Sequence, residues 1–88
     1  SILDIFEQVL KHEEMVTSKI NALADEADNA KDRAAVSFLD WYVKEQVEEE
    51  ASVRQIISNL KLIGDDKKAL LMLDRELAAR TFVQPVIG

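Results

Sequence analysis

The sequence predicts an all-α protein: a long antiparallel helical hairpin followed by a short third helix. The 88-residue chain has only two glycines and one proline, and none of them precedes Gly64. The residues that usually mark tight turns are therefore absent from most of the chain. Apolar residues also recur at three- and four-residue steps, which is typical of amphipathic helices.

The first helix is predicted over residues 2–28. Ser1 can cap its N-terminus through the side-chain oxygen. The polar stretch DNAKD, residues 28–32, follows. It supplies Asn29 as a stop residue and Asp32 as the cap of the next helix.

The second helix is predicted over 33–63 and the third over 66–80. Gly64 is a natural C-cap, and Asp65 or Asp66 can cap the third helix. The predicted inward face of the second helix is Ala35, Phe38, Leu39, Tyr42, Val53, Ile56, Ile57, Leu60 and Ile63. The third helix carries Leu70, Leu73 and Leu77 on one side.

Residues 1–80 are expected to form one helical unit, and residues 81–88, TFVQPVIG, an apolar extended tail. The short link makes the two long helices antiparallel neighbours. A hairpin of this length cannot cover both apolar stripes by itself. We therefore expect half of a four-helix bundle, completed by another chain or by a second copy.

Composition limits the classes of partner. Seventeen acidic and eleven basic residues give a net charge of -6, which argues against nucleic acid or an anionic membrane and is compatible with cations. The absence of cysteine excludes disulfides and thiolate metal sites. No signal-peptide pattern or bilayer-length apolar run occurs, so a cytoplasmic protein is expected.

The stretch EQVEEE, residues 45–50, interrupts the apolar stripe of the second helix. On a helical wheel with Tyr42 set at zero degrees, Glu49 and Gln46 fall inside the apolar stripe. Glu45 lies at its edge. The wheel places two acids outside the stripe: Glu48, beyond the edge, and Glu50, pointing away.

Glu13 is a second acid in an apolar stripe, midway between Phe6 and Ile20. Folding the hairpin about its polar link sets Glu13 opposite the 46–49 region. The sequence therefore predicts that Glu13, Gln46 and Glu49 converge, with Glu45 nearby.

Several buried carboxylates need protonation, basic partners, water or a metal, because each ion costs on the order of several kcal/mol to bury. Arg54 can pair with Glu50, one turn away, but lies off the central stripe. Inward oxygen ligands in a helical bundle are the usual construction of a carboxylate-bridged di-iron or di-manganese site. Simpler interpretations stay open: Glu13 as a hydrogen-bonded core acid, Gln46 as a bridge between helices, and the glutamates as a solvated face.

Three segments carry a family resemblance: LKHEEMVTSKINAL, FLDWYVKEQVEEE and LLMLDREL. They resemble the third, fourth and short fifth helices of prokaryotic non-haem ferritins. The resemblance implies a shell of 24 subunits that oxidises Fe(II) with dioxygen or peroxide and stores Fe(III) mineral. It implies iron storage and ferroxidase activity for the complete assembly.

Carried over by position, the resemblance makes Glu13 and Glu49 carboxylate ligands of a diiron ferroxidase centre, with Gln46 beside them. These three are the predicted catalytic residues. Glu45 and Glu48, together with Glu49, resemble an additional iron site.

Two helices of the family pattern, which carry a glutamate ligand and a Glu-x-x-His motif, have no counterpart in this sequence. The resemblance therefore implies half a subunit: a fragment, a cleavage product or one piece of a split protein. Its expected partners are iron ions and either the other two helices or a second copy. The alternative is a non-enzymatic dimerisation module whose acidic core is vestigial or binds divalent cations.

Overall fold

The computed structural model describes residues 1–80; the predicted tail, 81–88, lies outside the described residues. The described chain is all-helical, which confirms the predicted fold class. Its elements are α1, Ile2–Asn29, α2, Arg33–Ile63, and α3, Lys67–Ala79. Each observed bound lies within one residue of the predicted bound.

The helix ends are fixed by the capping residues that the sequence suggested. Ser1, Asp32 and Asp66 each accept a hydrogen bond from the backbone N–H three residues later, at 3.3, 3.1 and 3.1 Å. Gly64 ends α2 with a φ of 58°, and its N–H donates to the carbonyl of Leu60 at 3.1 Å. Glycine suits that position because a side chain is strained in the left-handed region.

The link between α1 and α2 is a tight closure over three residues. The N–H groups of Lys31 and Asp32 donate to the carbonyls of Asp28 and Ala27, each at 3.0 Å. This paired closure requires one residue in the left-handed region, and that residue is Lys31, with a φ of 57°. Asn29, the predicted stop residue, is the last residue of the helix.

The apolar core divides into two clusters along the hairpin. The loop-proximal cluster consists of Ile20, Leu39 and Tyr42. The distal cluster lies at the other end, where α3 joins the hairpin, and consists of Ile56, Leu60 and Leu73. Leu70 and Leu77 pack against the distal cluster, so α3 uses its predicted face.

The centre line of the α1–α2 contact follows a seven-residue spacing. On α2 it runs through Leu39, Gln46, Val53 and Leu60, which are 8%, 0%, 2% and 4% exposed. The stripe predicted from the sequence was centred on Tyr42 and is displaced from this line. Phe38, on the predicted stripe, is 42% exposed, because the hairpin leaves that side of the stripe uncovered.

Many large apolar side chains in the described chain remain uncovered by the hairpin. They occur on all three helices: Ile2, Ile5, Val9, Met15, Leu23, Phe38, Trp41, Val47, Leu62, Leu71 and Met72. This fits the expectation that a two-helix hairpin cannot bury both of its stripes. Among residues 1–80, none of the helices combines the length and the apolar character needed to cross a membrane.

Candidate functional site

A layer of polar side chains separates the two apolar clusters. It contains Glu13 and Thr17 from α1 and Gln46 and Glu50 from α2, and we call it the polar layer. Glu13, Gln46 and Glu50 are only 3%, 0% and 7% exposed, and Thr17 is partly buried. Each interrupts a helix face that is otherwise apolar, so the position of the layer is set by the spacing of these four residues.

Gln46 joins the two helices through its side-chain amide. Its Nε2 donates to Glu13 Oε2 at 3.0 Å, and the carbonyl oxygen of Glu13 and Thr17 Oγ1 each lie 3.4 Å from Nε2. Gln46 Oε1 is fully buried and has no hydrogen-bond partner among the described residues 1–80. Glu13 and Gln46 therefore meet as the sequence predicted, and an acceptor oxygen remains unsatisfied beside them.

Glu49 lies next to this pair at an intermediate depth. Burial raises the pKa of its carboxyl group above the ordinary value, and the nearby charge of Glu13 raises that pKa further. Both causes disfavour the ionised form. Glu13 and Gln46 are thus in contact, and Glu49 lies close enough to Glu13 for the two charges to interact.

The other two predicted metal residues lie closer to solvent. Glu45 is partly buried and Glu48 is exposed. Within residues 1–80, no group of three or more histidine, cysteine, aspartate or glutamate side chains is arranged to hold a metal ion. His12, the only histidine, is exposed.

Glu50 corrects the sequence prediction, which had it pointing away from the hairpin. Its Oε2 accepts a hydrogen bond from Thr17 Oγ1 at 3.2 Å. Arg54 pairs with it as predicted, with Nη2 3.5 Å from Oε1, and also lies 3.8 Å from Glu14 Oε2. The helical wheel misplaced Glu50 because it was centred on Tyr42. The centre line of the α1–α2 contact runs through Gln46 and Val53, and Glu50 lies beside that line.

Thr17 was not singled out from the sequence at all. A signal for it existed, because Thr17 follows Glu13 by four residues and Glu50 follows Gln46 by four. Residues four apart share a helix face. The one-turn neighbours of the two predicted site residues were therefore candidates for the same layer.

The donor set of this region consists of oxygens. The carboxylates of Glu13 and Glu49 and the amide oxygen of Gln46 are hard ligands, which suit iron, manganese, magnesium and calcium better than copper or a thiolate-bound metal. A closed coordination shell needs further ligands. By their chemistry, these oxygens are suited to form part of a cation site.

Comparison with known proteins identifies the family. A family model described as a ferritin-like domain matches residues 1–63. The bacterial non-heme ferritin of Staphylococcus saprophyticus is 48% identical over 82 residues, covering 93% of this chain and 49% of the relative. The Staphylococcus aureus protein is 45% identical with the same coverage.

Solved structures give the same result. An open-pore ferritin from the archaeon Archaeoglobus fulgidus matches with a TM-score of 0.89 and 53% identity, over 92% of this chain and 50% of that one. A humanized archaeal ferritin matches with the same score and identity, over 94% and 51%. This chain spans about half the length of these relatives. The matches confirm the resemblance to prokaryotic non-haem ferritins, and the chain belongs to the ferritin-like domain family.

Proposed function

We propose that this chain binds ferrous iron beside Glu13, Gln46 and Glu49, and that it acts in iron storage and Fe(II) oxidation as part of a ferritin-like bundle. The observation that carries the proposal is the unsatisfied Oε1 of Gln46, fully buried next to Glu13. A buried polar atom without a partner is costly. A bound cation would satisfy that oxygen.

Electrostatics supports the same assignment. Glu49 is destabilised in its ionised form by burial and by the charge of Glu13. A cation between such carboxylates reverses this effect, because the positive charge favours the ionised form of both. The iron is the substrate here: Fe(II) loses an electron to dioxygen or peroxide and is stored as Fe(III).

Glu45, Glu48 and Glu49 are proposed to form an additional iron site next to the diiron centre. The three carboxylates lie within about one helical turn of α2, and they range from partly buried to exposed. Because one of these carboxylates is exposed and the other two are partly buried, the group is suited to receiving an ion from solvent.

Two further helices are proposed to complete the bundle and the coordination shell, supplied by another chain or by a second copy. The uncovered apolar side chains of α1 and α2 support this proposal. The relatives are about twice as long as the matched region, which is also consistent with it. A shell of 24 subunits, as implied by the family, is the proposed assembly.

A metal titration of the purified chain tests the proposal. Zn(II), a redox-inert surrogate for Fe(II), is expected to stabilise the fold by about 2.7 kcal/mol when its concentration is 100 times Kd. Glu13→Ala and Glu49→Ala should remove this increment. Glu7→Ala and Glu26→Ala are matched controls, because both acids are exposed on α1, and they should leave it unchanged. No rise in melting temperature up to millimolar Zn(II) or Fe(II) would contradict the proposal.

The uncovered apolar surface also favours a second candidate, a non-enzymatic association module. In that case the double variant Glu13→Gln and Glu49→Gln should stabilise the oligomer, because it removes buried charge at nearly constant shape. Metal should have no effect on either protein. The mass of the oligomer, measured with and without metal, separates the two candidates.

A further inference from the structure

The proposed iron site makes no use of two members of the polar layer, Thr17 and Glu50. Glu50 is 7% exposed, which is unusual for a glutamate. Neither residue belongs to the predicted metal ligands. Their hydrogen bonds nevertheless lead directly to Gln46, whose Oε1 carries the functional proposal.

The hydrogen bonds of Gln46 determine which way its amide faces. Its Nε2 lies 3.0 Å from Glu13 Oε2 and 3.4 Å from the carbonyl oxygen of Glu13. A carbonyl oxygen can only accept a hydrogen bond, and so can an ionised carboxylate. A flipped amide would instead place Oε1 against these oxygens. The nitrogen therefore faces Glu13, and Oε1 is left without a hydrogen-bond partner among the described residues.

The hydroxyl group of Thr17 also helps to orient the Gln46 amide. Its hydroxyl lies 3.4 Å from Gln46 Nε2, 3.2 Å from Glu50 Oε2 and 3.0 Å from the carbonyl oxygen of Glu13. A hydroxyl has one proton to donate and can accept at the same time. When Thr17 donates to the carboxyl group of Glu50, its oxygen is left to accept from the Gln46 amide. Thr17 thus connects two residues that lie one turn apart on α2.

Glu50 is itself held in place from the solvent side. Arg54 Nη2 lies 3.5 Å from Glu50 Oε1 and 3.8 Å from Glu14 Oε2. Hydrogen bonds to a charged acceptor are stronger than those to a neutral one. The charge of Glu50 therefore favours donation by Thr17 to Glu50, at 3.2 Å, over donation to the nearer carbonyl oxygen of Glu13, at 3.0 Å. In that arrangement Gln46 donates to Thr17 and Thr17 donates to Glu50.

We infer that Thr17 and Glu50 are positioning residues, which lock the Gln46 amide so that its Oε1 stays available to the metal. This inference deepens the proposed function and rests on it. Groups outside the ligand shell that orient the ligands are known to affect metal affinity strongly. Here the locked group is an amide whose two ends differ in chemistry, so its orientation decides whether an acceptor or a donor faces the ion.

The test combines NMR of the metal-free chain with Zn(II) titration. Thr17→Val keeps the side-chain shape and removes the hydroxyl. It should shift the side-chain ¹⁵N–¹H signals of Gln46, speed the solvent exchange of those protons, and raise the Kd for Zn(II) by roughly 10-fold or more. Thr17→Ser should restore all three properties. Ser18→Val, at the exposed neighbouring position, controls for a β-branched apolar residue in α1 and should change none of them.

Glu50→Leu provides a second route to the same result if Thr17→Val does not fold. It should shift the Gln46 signals in the same direction, because Thr17 loses the acceptor that orients its proton. Unchanged Gln46 amide signals in the folded Thr17→Val or Glu50→Leu protein would overturn the inference. Absence of Zn(II) binding by the unmodified chain would overturn the proposed function instead, and the NMR comparison would still decide the inference.

Discussion

The distal cluster and the polar layer are equally deep but differ in how their contents are satisfied. Ile56 in the distal cluster and Gln46 in the polar layer are both 0% exposed. Ile56 is surrounded by apolar neighbours, including Leu60 and Leu73. Gln46 makes three contacts through its nitrogen, and within residues 1–80 its oxygen has no partner. Burial alone therefore does not distinguish a structural position from a functional one; the pairing of the buried polar atoms does.

The two regions also differ in how many helices enclose them. In the distal cluster, α3 packs onto the end of α2, and side chains from the start of α1 pack against the same cluster. Among residues 1–80, the polar layer is enclosed by α1 and α2. We therefore expect changes in the distal cluster to act mainly on stability, and changes in the polar layer to act mainly on metal binding.

The largest expected effect is the loss of stability in Ile56→Ala. Removing this buried side chain should lower the free energy of unfolding by about 2–5 kcal/mol, through lost burial and a cavity. Leu62→Ala is the matched control, because Leu62 is 85% exposed, and it should change stability by less than about 0.5 kcal/mol. Urea unfolding with and without Zn(II) measures both. A smaller stabilisation by Zn(II) in folded Ile56→Ala would contradict the assignment of stability to the distal cluster and of metal binding to the polar layer.

Gln46→Leu should have a smaller effect on stability and a larger effect on metal binding. Glu13 loses its 3.0 Å donor, which should cost about 1–3 kcal/mol. The stabilisation by Zn(II) should fall sharply, because the amide oxygen is gone. Gln55→Leu, at an exposed position on the same helix, should retain it. If Zn(II) stabilises Gln46→Leu as much as it stabilises the unmodified chain, the polar layer has a structural role only.

The smallest expected effect is a change in pH dependence. Because the pKa of Glu49 is raised in the folded chain, the folded state holds its proton more tightly than the unfolded state does. Stability from this group is then highest below the ordinary pKa of 4.5 and falls as the pH rises through the folded pKa. Glu49→Gln should remove this fall in metal-free buffer. Parallel stability curves for the two proteins would contradict the assignment.

The sequence predicted the helices well because their signals are local. The caps at Ser1, Asp32 and Asp66 and the C-cap at Gly64 depend on residues within one turn. The meeting of Glu13 with Gln46 was also predictable, since a short link fixes which positions of two antiparallel helices lie opposite each other.

The prediction for Glu50 was wrong because it depended on a choice that the sequence leaves open. The apolar stripe of α2 is wider than one neighbouring helix can cover. The helical wheel shows how wide the apolar stripe of α2 is, but it does not show which side of that stripe α1 covers. In the structure α1 lies toward Gln46 and Val53, so Glu50 is buried and Phe38 remains exposed. The roles of Glu45, Glu48 and Glu49 depend on ligands from outside this hairpin, and they remain predictions.

The seven-residue spacing on both helices has a consequence for register. Phe6, Glu13, Ile20 and Ala27 form one such series on α1, and its single acid faces the single amide in the corresponding series on α2. Sliding one helix by a heptad would set Glu13 against Leu39 or Val53 and leave a buried acid without its donor. A polar residue at one inward position is a known device for fixing the alignment of packed helices. The Glu13–Gln46 pair therefore favours one register of the two helices and disfavours offsets that purely apolar faces would tolerate.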